Sequence, residues 1–199
     1  MCSDRPERHA QDHEGSLLMS PTFKPRHAQQ GSSLIEVLIT LVILMVGLLG
    51  LVGLMVQSQR SQMESYQRVQ ALVVMQDMVN RINTNRKNAV NYVTASALGT
   101  GMTCPTAEAN TVQRDLKAWC NVLQGAGEKM DSGVTNVGAM LGARGCVSLV
   151  STNIYLVSVV WQGNGKTVAP TGVTCGTGLY GDEAQRRAVT VPVQIADLS

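Results

Sequence analysis

Histidine, aromatic residues and net charge are all scarce in this sequence, and the shortages of histidine and of charge each exclude a class of function. The three histidines, His9, His13 and His27, precede an apolar run that begins at Leu34. If the residues before that run are removed, histidine-based acid–base catalysis and histidine metal ligands are excluded from the mature chain. The formal net charge is only +2, and basic residues are scattered among acidic ones, so nucleic acid is not an expected partner.

The scarcity of aromatic residues means that the apolar content is aliphatic. Aromatic residues make up 4% of the chain, although 44% of it is hydrophobic. The aliphatic residues are concentrated in 23 residues from Leu34 to Val56, LIEVLITLVILMVGLLGLVGLMV, whose only strongly polar member is Glu36. As a helix, a run of this length crosses about 30 Å of hydrocarbon. The sequence therefore predicts one membrane-spanning helix.

The residues ahead of the apolar run are typical of a processed segment. Residues 1–30 are polar, show no periodicity and contain three prolines. A leader that starts at Met19 carries Lys24 and Arg26 and no acidic residue, whereas the residues before it balance both signs, so Met19 is an alternative start. By the positive-inside rule, the basic end is expected to stay in the cytoplasm while the rest is translocated.

Helix is predicted to continue beyond the apolar run. Residues 57–87 contain neither glycine nor proline, so a helix that starts at Ser33 is expected to end near Lys87. Apolar residues recur at spacings of three and four and predict a single apolar stripe on a polar rod. The residues of this stripe are Met63, Tyr66, Val69 or Gln70, Leu72, Val73, Met75, Val79 and Ile82.

A second, shorter helix is predicted after glycine-rich loops. Thr106 is its expected N-terminal cap and Gly125 its expected end. Trp119 on this helix, and Trp161 further along the chain, are expected to be core residues rather than binding residues. The apolar residues on one face of the predicted helix are Val112, Leu116, Trp119, Cys120 and Leu123.

Three strands are predicted in the last part of the chain. Pro192 marks the third as an edge strand or the site of a bulge, because proline cannot donate a hydrogen bond to a neighbouring strand. Just before this strand, four charged residues favour a solvated loop over an interaction surface. These residues are Asp182, Glu183, Arg186 and Arg187. The three strands cover residues 146–150, 154–161 and 188–195.

The border between the basic leader and the apolar run resembles the processing site of type IV prepilins. Gly31 is followed by four residues and then by Glu36, at the start of the apolar run. An ordinary secretory signal would instead place its small residues after the run. The resemblance implies cleavage after Gly31 by the prepilin peptidase and N-methylation of Ser32. It divides the chain into a leader (1–31), a membrane and filament-core segment (32–56), an amphipathic segment (57–88) and a periplasmic head (89–199).

Glu36 has a physical role of its own in this interpretation. An ionisable group inside hydrocarbon costs a few kcal/mol and is normally paired or functional. Cleavage would create an α-ammonium group at Ser32, which the Glu36 carboxylate of a neighbouring subunit can meet. The alternative is that Glu36 only reaches back to the lipid headgroups.

Three glycines recur at intervals of three within the apolar run. Gly47, Gly50 and Gly53 are expected to form a small-residue face where helices approach closely. The alternative is the ordinary tolerance of membrane helices for glycine.

Four cysteines remain once Cys2, in the leader, is removed. Cys104, Cys120, Cys146 and Cys175 are an even number in an exported chain, so two disulfides are expected, with three ways to pair them. Sequential pairing is favoured because it ties the second helix to its preceding loop and the first strand to a later loop. A zinc site is the alternative, but the sequence has no C-x-x-C spacing.

Patterns in the rest of the chain are similar to PilV-type minor pilins. Besides residues 71–83, they are Trp119-Cys120-Asn121, Ala143-Arg144-Gly145-Cys146, Val160-Trp161-Gln162-Gly163, Tyr180-Gly181-Asp182-Glu183 and Arg186-Arg187-Ala188-Val189. The N-terminal part of the resemblance is common to type IV pilins and pseudopilins, and only the head patterns point to PilV. The resemblance implies an α+β class and the type IV pilin fold, with a long N-terminal helix packed on a small antiparallel sheet with disulfides.

The resemblance also implies a function without catalysis. A minor pilin of the type IV pilus would help to initiate or prime assembly and enter the filament at low abundance. Its partners would be other minor pilins, the major pilin, the prepilin peptidase and the inner-membrane assembly platform, with a tip adhesin as a further candidate. No cofactor or metal is expected. The alternatives are a pseudopilin of a type II secretion system and an adhesive subunit.

The implied location changes during assembly. The precursor would lie in the bacterial inner membrane with its N-terminus in the cytoplasm and its head in the periplasm, and the mature subunit in the pilus filament or at its tip.

Overall fold

A computed structural model of the chain describes residues 33–126, 129–130, 135–136 and 140–196. The chain forms two compact units, the first ending at Gly47 and the second beginning at Leu48. The helices are α1 (Leu34–Thr84), α2 (Thr111–Leu123) and two 3-10 helices (Arg86–Tyr92 and Glu183–Gln185). The strands are β1 (Leu98–Gly99), β2 (Lys129–Met130), β3 (Thr135–Asn136), β4 (Arg144–Ser151), β5 (Ile154–Gln162) and β6 (Arg186–Gln194).

Helix α1 is continuous but ends before the expected position near Lys87. At its start, the Ser33 carbonyl oxygen accepts hydrogen bonds from the N–H groups of Glu36 and Val37 at 2.9 and 3.2 Å. After its end at Thr84, the Asn88 side-chain amide donates to Asn85 Oδ1 at 2.8 Å, and Asn88 leaves helical geometry (φ −108°, ψ 17°). Asparagine side chains compete in this way with the backbone bonds of a helix. A kinked 3-10 helix follows instead.

The prediction of a single apolar stripe on the second half of α1 is wrong, because this part of the helix has two apolar faces. Side chains three or four positions apart share one face of a helix only if their average spacing stays at 3.6 residues. The residues of the predicted stripe do not keep this average, so the first of them lie on one face and the last on another. The face packed on the head consists of Ala71, Val74, Met75, Met78, Val79 and Ile82. The other face is uncovered and consists of Met63, Tyr66, Val69, Leu72 and Val73, which are 43–59% exposed.

The main sheet has four antiparallel strands in the order β1-β4-β5-β6. The three predicted strands are present as β4, β5 and β6, and Pro192 lies in β6, an edge strand, opposite Leu156. The two-residue strand β1 pairs Leu98 with Gly145 and was not predicted, because two residues are too short to show an alternating pattern. The α+β class, with a long N-terminal helix on a small antiparallel sheet, is confirmed.

Trp119 lies at the centre of the core between α1, α2 and the sheet. Its side chain is completely buried, and its indole N–H donates to the carbonyl oxygen of Val74 on α1 at 2.9 Å. Its ring lies against Gly145 of β4, where no side chain would fit. Trp161 is buried as well. Both tryptophans are core residues, as predicted.

Helix α2 is present where the sequence predicts it, but Thr106 does not cap it. The cap is Asn110, whose side chain accepts a hydrogen bond from the Gln113 N–H at 2.9 Å. Asparagine is at least as good a cap as threonine, and Asn110 lies directly before the helix. Gly125, with φ +83°, follows the end of the helix, as expected for a glycine in the left-handed conformation.

Two disulfides hold the head together. They join Cys104 to Cys120 and Cys146 to Cys175, which is the sequential pairing favoured from the sequence. The first ties α2 to the loop before it, and the second ties β4 to the loop before β6.

We expect both disulfides to stabilise the head strongly. Replacing Cys104 and Cys120 with serine should lower the free energy of unfolding by about 2–4 kcal/mol, because the crosslink limits the freedom of the unfolded chain. Chemical unfolding of the mature protein in detergent measures this loss, and non-reducing peptide mapping checks the pairing. A free thiol, or Cys104 joined to a residue other than Cys120, would contradict the structure.

A polar network joins the end of α1 to the 3-10 helix and α2. The Tyr92 hydroxyl donates to Asp115 at 2.5 Å, and Arg81 donates to Asp115 and Asp77, both at 2.8 Å. Burial and the hydrogen bond to Asp115 raise the pKa of Tyr92 to about 12. The phenol therefore remains a protonated donor at physiological pH.

The four charged residues at and just before the start of β6 form neither a free solvated loop nor an open interaction surface, because they are used within the head. Arg186 is buried, pairs with Glu183 at 2.6 Å and donates to the carbonyl oxygen of Val173 at 2.9 Å. Arg187 pairs with Glu64 of α1, also at 2.6 Å. Asp182 pairs with Lys166 at 2.9 Å. Glu64 lies far from Arg187 along the chain, so this ion pair could not be predicted.

Candidate functional site in the N-terminal helix

The residues that carry the resemblance to prepilins lie at the start of α1. Gly31 and Ser32, the predicted cleavage and methylation site, are outside the described residues. Glu36 is in the first turn of α1. A carboxylate in this position is stabilised by the positive end of the helix dipole. The described part of the site therefore begins with an acidic residue at the N-terminal end of an apolar helix.

The apolar side chains from Leu34 to Val56 are uncovered throughout. Their exposed fraction lies between 44 and 85%. Among the described residues, α1 is the one helix long and apolar enough to cross a membrane. A solvent-exposed apolar surface of this extent is not stable in water, so it needs lipid or other protein surfaces around it.

The three glycines of the apolar run have no packing partner within the described part of their own chain. At Gly47, Gly50 and Gly53, an added Cβ would meet no atom within 4 Å. The fold of the subunit therefore gives no steric reason for glycine at these positions. The small-residue face stays a prediction, and its partner would have to be a second helix.

The uncovered surface does not stop at the end of the apolar run. In the second unit, Met63, Tyr66, Val69 and Val73 continue it on the side of α1 that faces away from the head. The predicted stripe contains these four residues together with core-facing ones, so they were not recognised as a separate surface. Plotting residues 57–84 at 3.6 residues per turn separates it from the core-facing side chains.

The described residues contain no cluster of side chains suited to a metal ion. No group of three or more His, Cys, Asp or Glu side chains could hold a metal ion within the part of the chain that the structure describes. All four cysteines of the head are in disulfides. What α1 offers is a surface for association.

Comparison with known protein families agrees with the N-terminal motif. Residues 26–52 match the model of the prokaryotic N-terminal methylation motif. Searches of curated proteins and of solved structures found no match. The matched residues include Gly31, Ser32 and Glu36, together with most of the apolar run, and they support a membrane-anchored, pilin-like protein.

Proposed function

We propose that this chain is the precursor of a minor pilin that helps to start assembly of a type IV pilus. The single observation that carries the proposal is the uncovered apolar surface of α1. It begins at Leu34, within the residues that match the methylation motif, and continues past Val56 on the side of the helix that faces away from the head.

Two environments can cover this surface in turn. Before assembly, lipid covers residues 34–56, and the leader stays in the cytoplasm. After assembly, the apolar helices of other pilins take the place of lipid. The exposed side chains at Met63, Tyr66, Val69 and Val73 lie beyond the apolar run, so a protein neighbour suits them better than lipid does.

The disulfides support a periplasmic position for the head. Cysteine pairs persist in oxidising compartments, and the bacterial periplasm is one of them. The head would therefore be exported while the leader is not, which is the orientation that Lys24 and Arg26 favour.

The role in initiation rests on the similarity of head patterns to PilV-type minor pilins. A subunit that primes a filament is needed once per fibre, whereas a shaft subunit is needed many times. The subunit would act with other minor pilins, the major pilin and the inner-membrane assembly platform, and the prepilin peptidase would process it. It would be a structural subunit with no catalytic role.

Deleting the gene is expected to reduce surface pili and twitching sharply, while the major pilin accumulates in the inner membrane. Electron microscopy and an immunoblot of sheared pili measure the loss, and complementation with the intact gene is the control. Normal piliation with defective secretion of exoproteins would contradict the proposal and identify a pseudopilin. Normal results in both assays would leave an accessory or adhesive role.

A further inference from the structure

A groove lined by side-chain amides lies between the end of α1, the 3-10 helix Arg86–Tyr92 and the start of α2. Its volume is about 450 Å³, within the usual range of ~300–1,000 Å³ for small-molecule sites. Among the residues that the structure describes, no charged side chain lines it. The lining residues are Asn85, Asn88, Asn91, Asn110, Thr111, Val112, Gln113 and Leu116.

Three of the amides, those of Asn88, Asn110 and Gln113, are each held at one end and open at the other. Asn110 Oδ1 accepts from the Gln113 N–H, and Gln113 Oε1 accepts from the Ala109 N–H, each at 2.9 Å. Asn85 donates to the Tyr92 hydroxyl at 3.2 Å and accepts from Asn88 at 2.8 Å. These bonds fix the orientation of each side chain without using all of its hydrogen-bonding groups.

Several groups are left for a ligand. Within the described residues, Asn110 Nδ2, Gln113 Nε2, Asn88 Oδ1 and both side-chain polar atoms of Asn91 have no hydrogen-bond partner. The groove therefore presents donors and acceptors close together. The half-buried side chain of Leu116 adds an apolar contact, whereas Val112 is buried in the core behind the groove.

We propose that this groove binds an uncharged carbohydrate. Each sugar hydroxyl both donates and accepts, which matches a mixed set of amide donors and acceptors. The carbon face of a sugar ring can rest on the Leu116 side chain. An apolar ligand would leave the amides without partners, and an anionic ligand would find no cation in the lining.

The test is binding of the purified mature chain, in detergent, to an array of neutral oligosaccharides built from hexose and N-acetylhexosamine units, with sialylated and sulfated counterparts. At least one neutral oligosaccharide should be retained. Asn88→Ala combined with Asn91→Ala should weaken its binding about tenfold or more, and Asn91→Ala alone about three- to tenfold.

Asn83→Ala is the matched control, because Asn83 is an exposed asparagine of α1 that does not line the groove. It should bind like the unmodified chain. If the double variant fails to fold, Asn91→Ala alone still tests the proposal. The Asn91 side chain makes no hydrogen bond within the described residues, so its removal should not disturb folding.

Three results would overturn the proposal. They are no retention of any neutral oligosaccharide, equal retention by Asn91→Ala and the unmodified chain, and retention of the charged oligosaccharides alone. Retention of the charged oligosaccharides alone would indicate binding to the exposed cations Arg86 and Lys87 and not to the groove. The assay uses a purified chain, so its outcome is independent of whether the chain assembles into a filament.

Discussion

Glu36→Ala is expected to leave cleavage and membrane insertion intact while removing the subunit from filaments. In a filament, the variant would bury the α-ammonium group of a neighbouring Ser32 without its carboxylate. Removing one partner of a buried ion pair costs about 3–5 kcal/mol. We therefore expect the amount of this subunit in sheared pili to fall at least about tenfold, measured by immunoblot against the membrane fraction.

Thr40→Ala is the matched control for Glu36→Ala. Thr40 is one turn further along α1, and its hydroxyl donates to the Val37 carbonyl of its own helix at 2.8 Å, so it needs no partner from another subunit. It should enter filaments normally. If Glu36→Ala does the same, the proposed contact between Ser32 and Glu36 does not exist.

Gly145→Ala is expected to destabilise the head by about 2–3 kcal/mol or more, because the added methyl group overfills the core. A Cβ at this position would lie 2.7 and 2.8 Å from Cζ2 and Cζ3 of Trp119, and nearer still to Cη2. The indole cannot easily move away, because it is completely buried and bonded to Val74. Chemical unfolding of the mature chain in detergent measures the effect.

Gly165→Ala is the matched control for this substitution. An added Cβ at Gly165 meets no atom within 4 Å, so the change in the free energy of unfolding should stay within about 0.5 kcal/mol. Combining Gly145→Ala with Trp119→Phe should show a coupling energy of about 1 kcal/mol or more. Equal stability of the two alanine variants would mean that Trp119 does not pack against Gly145.

Much of the fold follows from short-range patterns in the sequence. The absence of glycine and proline from residues 57–87 predicts the long helix, and alternation in residues 154–161 predicts the central strand β5. These features depend on neighbours along the chain, where periodicity is informative. The methylation motif is also local, with Gly31 and Glu36 five positions apart.

The features that sequence reasoning missed depend on contacts between distant residues. The head covers only one of the two apolar faces of α1. Which face it covers depends on distant residues such as Trp119 of α2, which bonds to Val74 across 45 positions. The ion pair between Glu64 and Arg187 spans 123 positions. The amide groove combines residues of the 3-10 helix with residues of α2, and neither segment suggests a site by itself.

The most direct test of the central claim is the N-terminus of the mature protein. The intact mass and N-terminal sequence of the chain, purified from membranes or sheared pili, should show cleavage after Gly31 and a methylated Ser32. A chain that still begins at Met1 or Met19, or one that begins beyond Val56, would contradict processing as a prepilin.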